Sequence, residues 1–112
     1  MIVTNFEFAD NGVCTHIRGD TAQFELEVQV DGAVIKEWQG KFSVKQYPDD
    51  ENYLYQVSFN QNTPCIISHN ITQDLPYGNY WYDIQIVFTQ DGKVVYRTIG
   101  ANPYILKPDI TG

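Results

Sequence analysis

The residues that could do chemistry in this 112-residue chain are few and scattered. Cys14 and His16 are two positions apart, so an extended strand would place the thiol and the imidazole on one side. A cysteine nucleophile also needs an orienting group and an oxyanion site, and no motif in the sequence supplies them. The second histidine, His69, follows no recognisable serine or cysteine elbow. We therefore expect no enzyme activity and no catalytic residue.

Metal-ligand spacing is also missing from the sequence. Neither Cys14 nor Cys65 has a second Cys or His in a C-x-x-C arrangement. The acidic run 49–51 lacks the alternating spacing and central glycine of a calcium loop, so it predicts a solvated loop and no metal site. The sequence does not decide whether the two cysteines form a disulfide, because it does not place their Cα atoms. A cytosol would keep both cysteines reduced.

The composition favours a β-rich chain. Val, Ile and Thr number 10, 11 and 8, against four Leu and four Ala, and branched side chains fit a pleated, half-buried surface. The net charge of −7 argues against nucleic acid or an acidic membrane as a partner, since both attract basic patches. No secretory signal is visible in the first twelve residues, and no run approaches the ~20 apolar residues of a membrane span.

Alternation of apolar and polar residues predicts the strands. Apolar residues hold the even positions of 21–30 and of 80–88. Further strands are predicted from 2–8, 33–38, 40–47 (Lys41, Ser43 and Lys45 directed to water), 53–60 (Tyr53, Tyr55, Val57 and Phe59 on one face), 65–71, 93–100 and 102–108. The aspartate–glycine pairs at 31–32 and 91–92 predict tight hairpins, because glycine tolerates the positive φ of such turns.

Seven to nine short strands with no helix define the predicted architecture. We expect an all-β fold, an immunoglobulin-like antiparallel β-sandwich, as a single domain over residues 1–112. Two sheets in such a fold pack about 10 Å apart and bury the apolar faces between them.

The stretch LPYGNYWYDIQI, residues 75–86, carries aromatic residues on both sides of one predicted strand. Tyr80 and Tyr82 share the apolar face and are predicted to lie in the core. The spacing L-x-x-G-x-Y is also similar to the tyrosine corner of immunoglobulin-type sandwiches, in which a tyrosine bonds to the backbone just upstream. Gly78 would form that corner and Tyr80 would supply its hydroxyl.

Trp81 falls on the opposite face, together with Asp83 and Gln85. A tryptophan there is covered by another segment, in contact with another protein, or exposed to a sugar ligand. The same alternatives apply to Trp38. The candidate interaction surface therefore consists of Trp81, Asp83, Gln85 and Trp38.

Three longer stretches carry a family resemblance: RGDTAQFELEVQVDGAVI, LPYGNYWYDIQIVFTQDGKVVYRTIG and YILKPDIT. Together they resemble a group of small β-sandwich domains in structural proteins of phages and prophages of Gram-positive bacteria, including the N-terminal domain of baseplate upper proteins. The matching positions are Gly19, Asp20, Thr21, Leu75, Pro76, Gly78, Tyr80, Tyr82, Asp83, Ile84, Gln85, Asp91, Gly92, Pro108, Asp109, Ile110 and Thr111.

The resemblance implies a non-enzymatic adaptor or decoration role in a virion, in the baseplate, the tail or beside a fibre, and it implies no cofactor. The implied partners are other virion structural proteins or further copies of this chain, assembled in the cytoplasm of a bacterial host. A carbohydrate-binding or adhesion module that uses exposed aromatic residues is the alternative. Glycan screening with Trp→Ala variants would separate the two.

Overall fold

The computed structural model of the protein describes residues 6–8 and 12–108. Within these ranges the chain forms ten strands and one four-residue helix. They are β1 (Phe6–Phe8), β2 (Cys14–Ile17), β3 (Ala22–Phe24), β4 (Gln29–Val30), β5 (Ala33–Val34), β6 (Gln39–Lys45), β7 (Tyr55–Asn60), β8 (Cys65–Ile67), α1 (His69–Thr72), β9 (Gly78–Gln90) and β10 (Lys93–Lys107). The predictions for residues 2–5, 10–11 and 109–112 lie outside the described ranges.

Six strands form one sheet in the order β1-β2-β10-β9-β6-β7. The predicted all-β class is therefore confirmed. The neighbouring strands run antiparallel except β2, which pairs in parallel with the last four residues of β10. The expectation of wholly antiparallel pairing is wrong at this place, because a pairing between segments far apart in sequence leaves no turn signal.

The long hairpin of β9 and β10 follows the alternation in the sequence. Tyr80, Tyr82, Ile84, Ile86 and Phe88 of β9 are all buried, as their shared face predicts. The turn between the strands has positive φ at both central positions, 53° and 77°. The turn between β4 and β5 is alike, with 51° and 82°. Both aspartate–glycine hairpins are thus confirmed, since two positive φ values suit the twist of a two-residue hairpin.

The separate pair β3–β8 packs on one face of the six-stranded sheet, the inner face, as a small second layer. The pair β4–β5 is a further separate hairpin. Phe24 of β3 makes edge contacts with Phe42 and Phe59, at 5.6 and 5.4 Å between ring centroids. Cys65 and Ile67 of β8 are fully buried in the same core. Burial of these side chains stabilises the fold by roughly 1.5–3 kcal/mol each.

Three local predictions differ from the structure. The predicted strand 21–30 is divided into β3 and β4, although its even positions still face the core. The predicted strands 93–100 and 102–108 join into β10, with a register shift between Gly100 and Asn102. Residues after β8 form α1, a single turn in which the Ile71 N–H donates to the Ser68 carbonyl at 3.0 Å. No helix in the described ranges is long and apolar enough to cross a bilayer.

Candidate functional site

The face of the sheet that carries the odd-numbered side chains of β9 points away from the second layer, and we call it the outer face. Residues lie side by side on it in rows across the strands. From one end to the other, the rows are Lys45–Trp81–Pro103, Gln56–Ser43–Asp83–Gly100, Ser58–Lys41–Gln85–Thr98 and Asn60–Gln39–Val87–Tyr96. Three of the four predicted interaction residues, Trp81, Asp83 and Gln85, are therefore consecutive on one open surface.

Three adjoining depressions form a groove on the outer face, which we call the outer groove. Their volumes are 240, 400 and 420 Å³. The first and second share Lys41 and Gln85, and the second and third share Gln39, Asn60 and Val87. Because the shared residues follow the strands, the groove runs parallel to β9.

Asp83 and Trp81 are both partly buried at one end of the outer face. Burial raises the pKa of the Asp83 carboxyl above its ordinary value, and the nearby Lys45 ammonium opposes that rise. The Lys45 ammonium also lies 5.2 Å from the ring centroid of Tyr53, a cation–π contact. Trp81 is paired across the sheet with Lys45 on one side and Pro103 on the other, and its indole keeps part of its surface exposed.

Ser43 was expected to face water, and this expectation is wrong. Its side chain is on the outer face but only 2 % of the residue is exposed. The Gln56 amide covers it and donates to its hydroxyl at 2.9 Å. The Ser43 and Gln56 side chains therefore hold each other in place on the floor of the outer groove.

The first half of β10 is a free sheet edge. Among the described residues, no strand pairs with 93–101 on the side away from β9, because β2 reaches only the last four residues of β10. This edge exposes Val94, Tyr96 and Ile99. A long edge with exposed apolar side chains is a template for pairing with another chain.

A buried chain of hydrogen bonds lies inside the core. The Tyr55 hydroxyl donates to the Tyr104 hydroxyl at 2.8 Å, and that hydroxyl lies 2.6 Å from His16 Nδ1. His16 Nε2 donates to the Asp20 carbonyl oxygen at 3.0 Å. Because a carbonyl only accepts, Nε2 carries the proton and Nδ1 accepts from Tyr104 in the neutral imidazole. Burial lowers the pKa of His16, which favours this neutral form.

The two cysteines are free thiols, so the disulfide that the sequence left undecided is not formed. Cys14 and His16 are on one side of β2, as their spacing predicts, but both are fully buried. Burial raises the pKa of Cys14 well above its ordinary value and raises the pKa of Cys65 to about 12. Buried thiols without a lowered pKa are inert, so this cluster has the character of core packing.

Trp38 does not belong to the candidate interaction surface. It is 4 % exposed and packs edge-on against the Phe59 ring, with centroids 5.5 Å apart. The correction has a physical reason: Trp38 precedes β6, so alternation within that strand gives no information on it, and its indole packs on Phe59 of β7 in the core. Trp38 still lines the far end of the outer groove through the small exposed part of its surface.

Gly78 and Tyr80, the predicted corner residues, lie at the start of β9. Gly78 begins the strand with a φ of 152°, which favours glycine. The Tyr80 hydroxyl donates to the Pro76 carbonyl, a contact with the backbone just upstream. The Tyr82 hydroxyl donates to the Gly12 carbonyl and ties β9 to the start of β2. Both rings are buried.

The acidic run 49–51 is in the loop between β6 and β7, as predicted. There the Asp50 carboxylate accepts from the Tyr47 N–H at 3.1 Å. Across the described residues, no group of three or more His, Cys, Asp or Glu side chains converges to hold a metal ion.

Sequence reasoning missed two exposed tyrosines beside the outer groove. Tyr53 was predicted to lie on the face of β7 with Tyr55, but β7 begins at Tyr55 and Tyr53 is 49 % exposed. Tyr96 is 62 % exposed, and the prediction of a strand over 93–100 did not single it out. The hairpin turn at 91–92 sets the register that pairs Tyr96 with Val87, and Val87 is on the outer face of β9. That register could have placed Tyr96 on the outer face.

Comparisons of this chain with models of protein families, with curated proteins and with solved structures find no match. The groove and the free edge are therefore interpreted from their own geometry and charge.

Proposed function

We propose that the chain is a non-enzymatic assembly module of a phage or prophage virion, acting through protein–protein contacts in a baseplate, a tail or a fibre-associated adaptor. One observation carries the proposal: the free edge of β10, where an exposed apolar strand lacks a neighbour among the described residues. The sequence resemblance supplies the virion context. The partly exposed Trp81 of β9, beside Pro103 of β10, extends the contact surface.

The proposal includes the finer fold class, an immunoglobulin-like sandwich with a reduced second layer. The Tyr80–Pro76 hydrogen bond supports it, since that contact is characteristic of such sandwiches. The packing of β3–β8 against the larger sheet supports it as well.

The partner at the free edge is a second copy of this chain, joined through β7. Strand β7 ends the other side of the same sheet, and the three antiparallel pairings β10–β9, β9–β6 and β6–β7 leave it antiparallel to β10. A head-to-tail neighbour would thus present β7 to β10 in the antiparallel direction. Repetition of such a contact gives rings or filaments, the arrangements from which virions are built.

Charge favours this pairing over contact between two β10 edges. The free half of β10 carries Lys93 and Arg97, and two such strands side by side would bring like charges together. Strand β7, Tyr55–Asn60, carries no charged side chain. Pairing of β10 with β7 therefore avoids that repulsion.

Sedimentation velocity over a concentration series tests the edge. Wild type is expected to associate, and Ile99→Lys should weaken the association at least about tenfold, or about 1.4 kcal/mol, because lysine blocks edge pairing. Ile66→Lys is the matched control, since Ile66 is 43 % exposed on β8 and Ile99 is 49 % exposed. A wild type that stays monomeric at high concentration overturns self-assembly.

A mixing experiment separates the head-to-tail contact from a symmetric one. Ser58→Lys blocks the β7 edge, so that variant alone and Ile99→Lys alone should each be monomeric. An equimolar mixture should form dimers, because each variant keeps one competent edge. Dimers formed by Ser58→Lys alone would instead mean that two β10 edges pair.

The virion context has its own test. Antibodies against the chain should label phage particles purified from cells that carry its gene, at a fixed position under immunogold electron microscopy. Purified particles that carry no label and contain no such chain by mass spectrometry would contradict the virion role.

A further inference from the structure

We propose that the outer groove binds a neutral oligosaccharide. The inference is independent of the edge contact, since it depends on the side chains of the outer face and not on the unpaired backbone of β10. Four features carry it: the shape of the groove, two exposed rings, a set of polar groups with few internal interactions and the charge of the chain.

The groove has the form of a cleft for a chain-like ligand. From the row of Asp83 to the row of Val87, four steps along β9 span about 13 Å at the usual strand rise. The three depressions adjoin along this line and hold between 240 and 420 Å³ each. Sites for organic ligands have volumes of about 300–1,000 Å³, so the joined depressions are large enough for several linked rings.

Tyr53 and Tyr96 offer exposed ring surface at separate points of the groove, and the Lys45 ammonium lies over one face of the Tyr53 ring. Tyr53 lines the first depression and Tyr96 lines the second. About half or more of each residue is exposed, at 49 % and 62 %. The face of an aromatic ring carries partial negative charge and attracts the positively polarised C–H groups of a sugar ring. Large exposed rings beside a cleft are otherwise costly, because they leave apolar area in water.

The polar groups between the rings have few interactions within the described part of the protein, and the one that is shown is the attraction between Asp83 and the nearby Lys45 ammonium. The side chains of Lys41, Asp83, Gln85 and Thr98 line the first depression and make no hydrogen bond or salt bridge with another described residue. They combine an ammonium donor, a carboxylate acceptor, an amide and a hydroxyl. Sugar hydroxyls both donate and accept, so they satisfy such a mixed set better than a purely acceptor or purely apolar ligand does.

Charge and topology disfavour other ligands. The net charge of −7 repels nucleic acids and acidic polysaccharides, and within the first depression Lys41 is balanced by Asp83. A peptide in the groove would lie over β6 and β9, whose backbones are already paired on both sides. Its own N–H and C=O groups would therefore find no strand partner, and a polar floor does not suit a lipid tail.

Screening the full chain on an array of neutral oligosaccharides tests the proposal, with gluco-, galacto-, manno- and N-acetylglucosamine oligomers as the probes. Isothermal titration should follow with the best probe. Tyr53→Ala and Tyr96→Ala are each expected to weaken binding at least tenfold, and Gln85→Ala several-fold. Tyr47→Ala is the matched control, because Tyr47 is also 62 % exposed but lines none of the three depressions.

The result has clear opposing outcomes. Binding that survives both Tyr53→Ala and Tyr96→Ala, or a wild type that binds none of the neutral probes, overturns the proposal. Preferential binding of an acidic polysaccharide or a peptide at the same residues overturns it too. Ile99→Lys should leave the sugar affinity unchanged, which keeps this test separate from that of the free edge.

Discussion

Removal of the Tyr104 hydroxyl should destabilise the fold more than removal of the Tyr55 hydroxyl. Tyr104 is fully buried, and its hydroxyl joins Tyr55 to His16 Nδ1. Tyr104→Phe keeps the ring and loses both contacts. At about 1 kcal/mol for each lost hydrogen bond, with a further cost when a buried group loses its partner, the loss should be about 2–4 kcal/mol. Tyr55→Phe loses a single contact and should cost about 1 kcal/mol.

The measurement is urea unfolding followed by tryptophan fluorescence, at about pH 8, where the imidazole is neutral in both states. The slope of the free energy against urea should be the same for the wild type and the two variants, so that midpoints report stability. If the two variants lose the same free energy within about 0.5 kcal/mol, the Tyr104 hydroxyl does not connect two partners. A larger loss of free energy of unfolding for Tyr55→Phe than for Tyr104→Phe would refute the reasoning.

Three further predictions concern buried groups. The free energy of unfolding should fall as the pH drops below the ordinary histidine value of 6.5, by up to about 1.4 kcal/mol per pH unit, because the unfolded chain binds a proton that buried His16 rejects. Iodoacetamide should label Cys14 and Cys65 only on unfolding, as mass spectrometry would show, because both thiols are buried with raised pKa values. Gly40→Ala should cost about 1–3 kcal/mol in a urea titration, because its Cβ would lie 2.8 Å from the Phe59 ring.

Each of these predictions has a control or a result that would contradict it. A profile that stays equally steep in His16→Gln would show that another residue causes the pH dependence. Ser58→Ala, on an exposed position of the neighbouring strand, should change stability by less than about 0.5 kcal/mol. Fast labelling of either cysteine in the native state would show that the core opens there.

Much of the main sheet could be predicted from local patterns. The period-two alternation of β9 assigned five core residues correctly, and the two aspartate–glycine pairs located both hairpins. The spacing around Gly78 and Tyr80 indicated the backbone contact at Pro76. These features depend on neighbours within about a dozen residues, so the sequence holds the information.

Long-range features could not be predicted in the same way. The parallel pairing of β2 with β10 joins segments about 90 positions apart, and it decides which half of β10 is left free. The sequence did not decide whether Trp38 or Trp81 is buried, and only the packing of Trp38 against Phe59 shows that it lies in the core. The outer face of β9 was identified, but the groove on it needs Lys41, Tyr53 and Tyr96, which come from three separate stretches.

The uneven support of β10 has a mechanical consequence. One end of the strand is clamped between β2 and β9, while its other end is held by β9 alone. Tension applied to the free end along the strand axis would act on the β9 ladder in shear, so many bonds would resist together instead of breaking in succession. A subunit attached there would be coupled stiffly to the middle of the sheet, and rupture under force would be set by the unfolding rate.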